Sequence, residues 1–237
     1  MQKIYCGFLL FFSLSEYCFS QRYELQAGLP SEKLVAWWPF SGNADDASEH
    51  GYDGVVRGAK LCNDRFERKK QAFCMGGFGD YISVDVVDES LMLSDNFSIS
   101  MWVNITFNGK DQYLISKGDV FSNEFALLYR KSGELIFEGP EHSFQAPSAF
   151  GLNYNVWTNI ILVAENGSVR LYVNGNWIST SVLSIPILPS NLPLLFGARF
   201  QAGTMTPLIN TSFTGKIDDI AIWNRPLEQD EIAELAK

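Results

Sequence analysis

The chain has 237 residues, 46% of them hydrophobic and 14% aromatic, with a formal charge of −9 and a pI near 4.7. That hydrophobic content supports a sizeable core and excludes a globally disordered chain. No basic run stands out beyond Arg68-Lys69-Lys70, so the positive surface that phosphate neutralisation requires is missing and a nucleic-acid partner is excluded.

Residues 1–20 read as a secretory signal peptide. Lys3 gives a thin positive start, "GFLLFFSL" an apolar stretch, and Ser20 a small residue before an expected cleavage at Gln21. The apolar stretch is too short for a membrane span; the alternative is a buried N-terminal strand. Lys3 and Glu16 cancel, so residues 21–237 still carry −9. Residues 21–33 read as a polar linker, and no later window is long and apolar enough to cross a bilayer.

From residue 34 the chain is a succession of short apolar runs broken by turns. Strands are predicted over 34–40, 53–61, 71–75, 81–84, 97–107, 112–117, 125–129, 134–138, 156–164, 169–173, 176–181, 194–198 and 215–223. So many strands at this spacing make a sandwich or barrel. Asn166-Gly167 and Asn174-Gly175 read as hairpin turns, because Asn-Gly accepts positive φ; Ser132-Gly133 is a third. Between the first two, Val169, Leu171 and Val173 alternate with Arg170 and Tyr172, as in a strand with one buried face. "SIPILPSNLPLL" (184–195) holds three prolines and is a shaped connection, not a central strand. One helix is predicted, over 228–236, with Glu228, Asp230 and Glu231 at its positive end.

Cys6 and Cys18 fall in the expected signal, leaving Cys62 and Cys74. If Leu61, Phe73 and Met75 face the core, both sulfurs lie on the outer face of adjacent strands, a geometry suited to a disulfide. Two separate buried thiols are the alternative.

The last strand, "GKIDDIAIW", carries Asp218 and Asp219 side by side. Simple alternation puts Asp218 with Ile220 and Ile222, and Asp219 with Ile217, Ala221 and Trp223. Asp218 is the acid expected to turn inward, since its face is the more uniformly aliphatic.

Several segments, in order, resemble the LamG-like jelly-roll domains of the concanavalin A-like lectin/glucanase superfamily. They are "KLVAWWPFSGNADDASEHGYDGVVRGAKLCNDRF", "FSISMWVN", "VWTNIILVAENGSVRLYVNG" and "FTGKIDDIAIWNRPLEQDEIAEL". The resemblance spans about 34–237, which is taken as a single domain. It implies an all-β, two-sheet antiparallel jelly-roll sandwich, secretion, glycan or protein binding, and in many members a calcium ion. The family's Asn-Ala-x-Asp segment is present as Asn43, Ala44, Asp45 and Asp46; its usual Ser-Gly-Asn-Gly step is replaced by Ser48-Glu49-His50-Gly51.

A calcium ion takes six to eight oxygens. Asn43, Asp45 and Asp46 follow the first strand, and Asp218 and Asp219 lie on the last; these strands neighbour each other in a jelly roll. The five residues are the expected metal set. The alternative is neutralisation of Asp218 by the backbone of the 43–46 loop, since a buried carboxylate needs a partner.

The Glu-x-Asp-x-x-Glu run of the superfamily's glucanases is absent: Glu228-Gln229-Asp230 is followed by Ala233 where Glu is required. His50 and His142 lack zinc spacing, and no nucleophile elbow or phosphate loop occurs. No catalytic residue and no organic cofactor are therefore expected. Aromatics near predicted loops are Tyr52, Phe78, Tyr113, Phe144, Phe150, Tyr154 and Phe200, any of which suits core packing as well as a sugar platform. The 139–155 stretch is the longest irregular segment before Val156. Sequons occur at Asn96, Asn104, Asn166 and Asn210. The sequence therefore points to a secreted, non-catalytic binding module. Glycan is its first expected partner, an extracellular protein the second and a divergent glycosidase the third reading.

Overall fold

In the computed structural model, residues 28–86, 91, 93, 96–120, 124–140, 152–183, 186–188 and 190–237 are described. The expected signal at 1–20, Phe144 and Phe150 lie outside them. Among the described residues, fourteen strands and one α-helix follow the turn pattern of the sequence. They are β1 (Leu34–Trp38), β2 (Gly54–Arg57), β3 (Lys60–Cys62), β4 (Ala72–Gly76), β5 (Tyr81–Val84), β6 (Phe97–Ile105) and β7 (Gln112–Lys117). Then come β8 (Phe125–Tyr129), β9 (Leu135–Glu138), β10 (Trp157–Glu165), β11 (Ser168–Val173), β12 (Asn176–Val182), β13 (Leu194–Phe196), β14 (Thr214–Trp223) and α1 (Gln229–Leu235).

The strands build two antiparallel sheets, as the jelly-roll expectation requires. The larger runs β12-β11-β10-β6-β14-β4-β3, with β1 also paired to β14; the smaller runs β2-β5-β13-β7-β8-β9. The predicted 53–61 strand is in fact two, because its halves serve different sheets: β2 pairs with β5 and β3 with β4. Gly58, at φ 76°, sits between them. The two Asn-Gly hairpins have positive φ at both positions, 49° and 76° at Asn166-Gly167 and 48° and 75° at Asn174-Gly175, as a type I′ turn demands.

Between the sheets lies one main core. Phe97 stacks on Phe125 at 5.3 Å, and Phe125 on Phe137 at 6.0 Å, while Trp38 meets Phe196 edge-on at 5.0 Å. A second cluster sits on the outer face of the larger sheet, where Leu227 and Ile232 cover Trp37, Ile161 and Trp223. Residues 28–33, read from sequence as linker, dock here: Leu29 packs on this cluster, and Pro30 and Glu32 carbonyls accept from Trp223 Nε1 and Arg225 Nε.

The proline-containing connection is fastened by a buried cation. Lys117 Nζ donates to Glu124 (3.0 Å) and to the carbonyls of Ser190 (2.8 Å) and Leu192 (2.6 Å). Burial pulls the Lys117 ammonium below its usual range, with Glu124 opposing.

Candidate binding cleft on the outer sheet face

Asp218 and Asp219 sit where β14 changes partners. One edge of β14 pairs with β4 as far as Ile217↔Phe73, then with β1 from Ile220↔Trp38. On the other edge, its pairing with β6 slips between Asp218 and Ala221. Asp219 has φ 43°, the left-handed conformation of a bulged residue. The extra residue resets the alternation. Ile217, Ile220 and Ile222 all face the main core, while Ala221 and Trp223 face the outer cluster. The expected grouping of Asp218 with Ile220 and Ile222 is thus corrected: both acids lie on the outer face, and Asp218 is nonetheless buried.

The group that buries them is Arg65. Its Nη1 donates to Asp218 Oδ2 at 3.0 Å and to Asp219 Oδ2 at 2.6 Å. The three side chains are 7%, 2% and 13% exposed, so solvent screening of this cluster is slight. The guanidinium lies over the rings of Phe66 (4.5 Å) and Trp102 (4.7 Å), where the π faces favour a cation. Trp37 adds a side-chain hydrogen bond to Asp219. Two carboxylates share one cation away from water. Burial is the largest influence on Asp218, the charge of Asp219 adds to it, and Arg65 opposes both; the Asp218 carboxyl is pushed up to about 8. Burial also raises Asp219, against the pull of Arg65 and Trp37.

Arg65 reaches this position through the 63–71 loop between β3 and β4. Cys62 and Cys74 form a disulfide across the base of that loop, with Cα atoms 5.8 Å apart, and both lie diagonal to one another in the β3–β4 register. Inside the loop, fully buried Asp64 accepts from the amides of Phe66 (3.0 Å) and Arg68 (2.7 Å) and from Arg68 Nε (2.5 Å). These bonds fix the turn and direct Arg65 across the gap between β4 and β1.

Beside the cluster lies a cleft of about 210 Å³. Trp37, Phe66 and Trp102 give it aromatic walls, and Arg65, Ser100 and Asp219 a polar floor. Gly28 and Leu29 on one side, and Glu234, Leu235 and Lys237 on the other, make its rim. A few polar groups converging between aromatic walls are the usual makings of a small-ligand site.

The other expected site residues have different surroundings. Asp46 Oδ1 accepts from the amides of Trp37 and Ser48, both at 2.9 Å, and Oδ2 from Ser48 Oγ (2.8 Å) and the Tyr52 amide (3.1 Å). Asn43 and Asp45 bond each other at the surface. Among the described residues, no group of three Asp, Glu, His or Cys side chains is placed to hold a metal ion. Asp218 and Asp219 have Arg65 as their cation, and Asp46 is committed to backbone amides. The five residues therefore do not fit one shared calcium shell.

Three expected aromatic platforms are packed inside the fold. Tyr52 and Phe200 are buried, and Tyr113 is buried with its hydroxyl donating to Glu138 (3.2 Å), which also receives Arg199 Nη1 at 2.5 Å. Tyr154 meets Phe107 and Tyr129 edge-on, while Phe78 is 87% exposed. Sequence reasoning missed Arg65, Phe66 and Trp102. The available signal was the expected outward-facing cysteine pair, which obliges the intervening loop to lie over that same outer face.

The concanavalin A-like lectin/glucanases superfamily model matches residues 76–233; the Arg65 loop precedes that segment. Among curated proteins, none matches. Domain 4 of a GH43 extracellular arabinanase from Geobacillus stearothermophilus, solved in complex with arabinotriose, is 17% identical. It aligns over 86% of this chain and 98% of its own, with a TM-score of 0.68. The binding domain of Paraclostridial mosquitocidal protein 1 is 18% identical over 87% of this chain and 52% of its own, with a TM-score of 0.68. Trypanosoma rangeli sialidase is 18% identical over 88% of this chain, at a TM-score of 0.66, and the match spans 33% of that enzyme. These likenesses speak for the fold alone. With two thirds of its length matched by the family model and both sheets in place, the chain belongs to the laminin-G branch of the concanavalin A-like lectin/glucanases superfamily.

Proposed function

We propose that this protein is a secreted, non-catalytic carbohydrate-binding module. The observation that carries the reading is the cleft beside Arg65, where Trp102 and Phe66 offer apolar faces and Arg65, Ser100 and Asp219 offer hydrogen-bonding groups. Sugar rings present that same mixture of apolar faces and hydroxyls. The neighbouring arabinanase domain, solved with arabinotriose, lends the fold's support.

The non-catalytic part of the proposal rests on accessibility. Glycoside hydrolysis needs a carboxylic acid and a carboxylate facing each other across a scissile bond. Asp218 and Asp219 lie side by side on one guanidinium nitrogen, and the Asp218 side chain is 2% exposed. No glycosidic oxygen reaches it.

Calcium belongs to the proposal only at the solvent side of the 43–46 loop, where Asn43 and Asp45 supply oxygens. Two side-chain donors are few for Ca²⁺, so the expected affinity is about millimolar at best. EDTA should leave the melting temperature unchanged; a rise with micromolar calcium would overturn this placement.

The function is tested on a glycan array with wild type and Trp102→Ala. Binding that the variant loses supports the module reading, and no glycan signal with or without calcium sinks it. A second reading, adhesion to an extracellular protein, is favoured by the exposed Phe78, Phe107, Val156 and Ile209. Protein capture without any glycan signal, abolished by Phe78→Ser, would establish that alternative.

A further inference from the structure

The cleft also speaks to the kind of sugar, an inference that rests on the carbohydrate-binding reading. Arg65 Nε is shielded from solvent and has no hydrogen-bond partner. Its hydrogen bonds to Asp218 and Asp219 run through Nη1 and its guanidinium is packed over Phe66 and Trp102, which leaves Nε–H unused in a side chain that lines the cleft. A second unpartnered atom lies under the same face. Fully buried Asn159 donates Nδ2–H to Ser100 Oγ at 3.2 Å, while its Oδ1 has no donor. Asn159 is the register partner of Trp102, and Ser100 forms part of the cleft floor. Buried polar groups without partners are rare in native proteins and costly to leave unpaired. Two on one face, one a donor and one an acceptor, point to a ligand that both accepts and donates.

Charge narrows the ligand further. Among the groups lining the cleft, Arg65 and Lys237 are balanced by Asp219 and Glu234. A carboxylate, sulfate or phosphate accepts from Arg65 but donates nothing to Asn159, and meets no surplus of positive charge. An ammonium donates but accepts nothing from Arg65. A hydroxyl does both.

We propose that the cleft selects an uncharged sugar ring. One ring hydroxyl accepts from Arg65 Nε, and a hydroxyl donates toward Asn159 Oδ1, directly or through one water. The apolar face of the ring rests on Trp102. A volume of about 210 Å³ lies below the ~300–1,000 Å³ of drug-sized pockets, so the site takes one ring, and longer chains extend past the rim.

The test is calorimetric titration of the full chain with three oligosaccharide panels: neutral, acidic (uronic, sialylated or sulfated) and amino-sugar. Wild type is compared with Arg65→Lys, which keeps the charge but lacks the Nε donor, and with Trp102→Ala. Neutral sugars alone should bind, with at least tenfold loss in Arg65→Lys and no measurable binding in Trp102→Ala. Ser100→Ala serves as a second probe should Arg65→Lys unfold, with severalfold loss expected. Acidic or amino sugars binding in a Trp102-dependent way would overturn the neutral-ring inference and leave the module reading standing. Neutral sugars binding equally to all variants would move the site elsewhere and also overturn it. No binding in any panel would defeat both.

Discussion

Asp218→Asn separates two accounts of the buried acid pair. Burial and the neighbouring Asp219 lift the Asp218 carboxyl from 3.8 to about 8, against the pull of Arg65. Between those values the folded protein holds a proton that the unfolded chain has released. Stability is therefore fully present below the unfolded value and declines as pH rises through the folded one. The full slope for one proton is about 1.4 kcal/mol per pH unit, so the loss across the window is on the order of several kcal/mol. Asparagine has nearly the same shape and does not ionise. Near pH 4 the variant should lie within about 1 kcal/mol of wild type, and by pH 6, where the unfolded wild-type chain has released its proton, it should already lead by about 3 kcal/mol. At pH 9 its lead should be largest, because wild type then carries a second buried charge. Urea unfolding at unit pH steps from 4 to 9 reads both curves, and the variant should lose most of the decline. The reasoning is refuted if wild-type stability is flat or rising over that range while the variant costs about 3–5 kcal/mol at pH 6. That is the signature of a charged buried pair broken by removal of one partner.

Arg65→Met leaves Asp219 buried without its cation and should cost about 3–5 kcal/mol at pH 8; adding Asp219→Asn should restore most of that loss in a double-mutant cycle. Replacing Cys62 and Cys74 by serine opens a loop with a sequence separation of 12, worth about 3 kcal/mol in the chain-entropy model. Amide exchange should then quicken in residues 63–71 before it does in β14; uniform quickening would mean that the bridge does not position Arg65. At Gly215, φ is 149° and an added Cβ would lie 2.2 Å from the Asn104 carbonyl oxygen. Gly215→Ala should therefore cost at least about 2 kcal/mol, and a melting temperature within 2 °C of wild type would contradict that geometry.

The sheets were legible in the sequence because their signals are local. Alternating Val, Ile and Leu, and Asn-Gly at the hairpins, place β7 and β8 at the expected residues and most other strands within two. The disulfide was legible for the same reason, since the parity of Leu61, Phe73 and Met75 decides where both sulfurs point. Parity failed at Asp218 and Asp219. A bulge adds a residue without any change in hydrophobic pattern, and its cause is non-local: β14 must leave β4 and join β1 at that point. Arg65 was equally hidden, 153 residues away from Asp218, with nothing in its own neighbourhood to announce a carboxylate partner. Tyr113 and Phe200 misled in the opposite sense. Both flank turns, yet the fold brings Arg199 and Glu138 to one and Tyr81 to the other.

These failures share an origin. A strand that changes partners leaves a gap at the edge of the ladder, and backbone groups in such a gap need other company. Here Asp218 Oδ1 accepts the Asp219 amide at 2.9 Å, so one of the acids serves the bulge's own backbone. Its second oxygen accepts from Arg65, which the disulfide-anchored loop supplies. An arginine whose carboxylate bonds run through Nη1 and whose guanidinium lies over Phe66 and Trp102 keeps Nε unpartnered. A local strand irregularity thus creates a polar, aromatic-walled cleft on the outer sheet face, beside the cluster that α1 covers. On this argument the acids are structural and the sugar site is their by-product, so Asp218→Asn should preserve glycan affinity at pH 6 within about twofold. Loss of binding in that variant, with its fold intact, would make Asp218 a ligand-contacting group and reverse the assignment of roles.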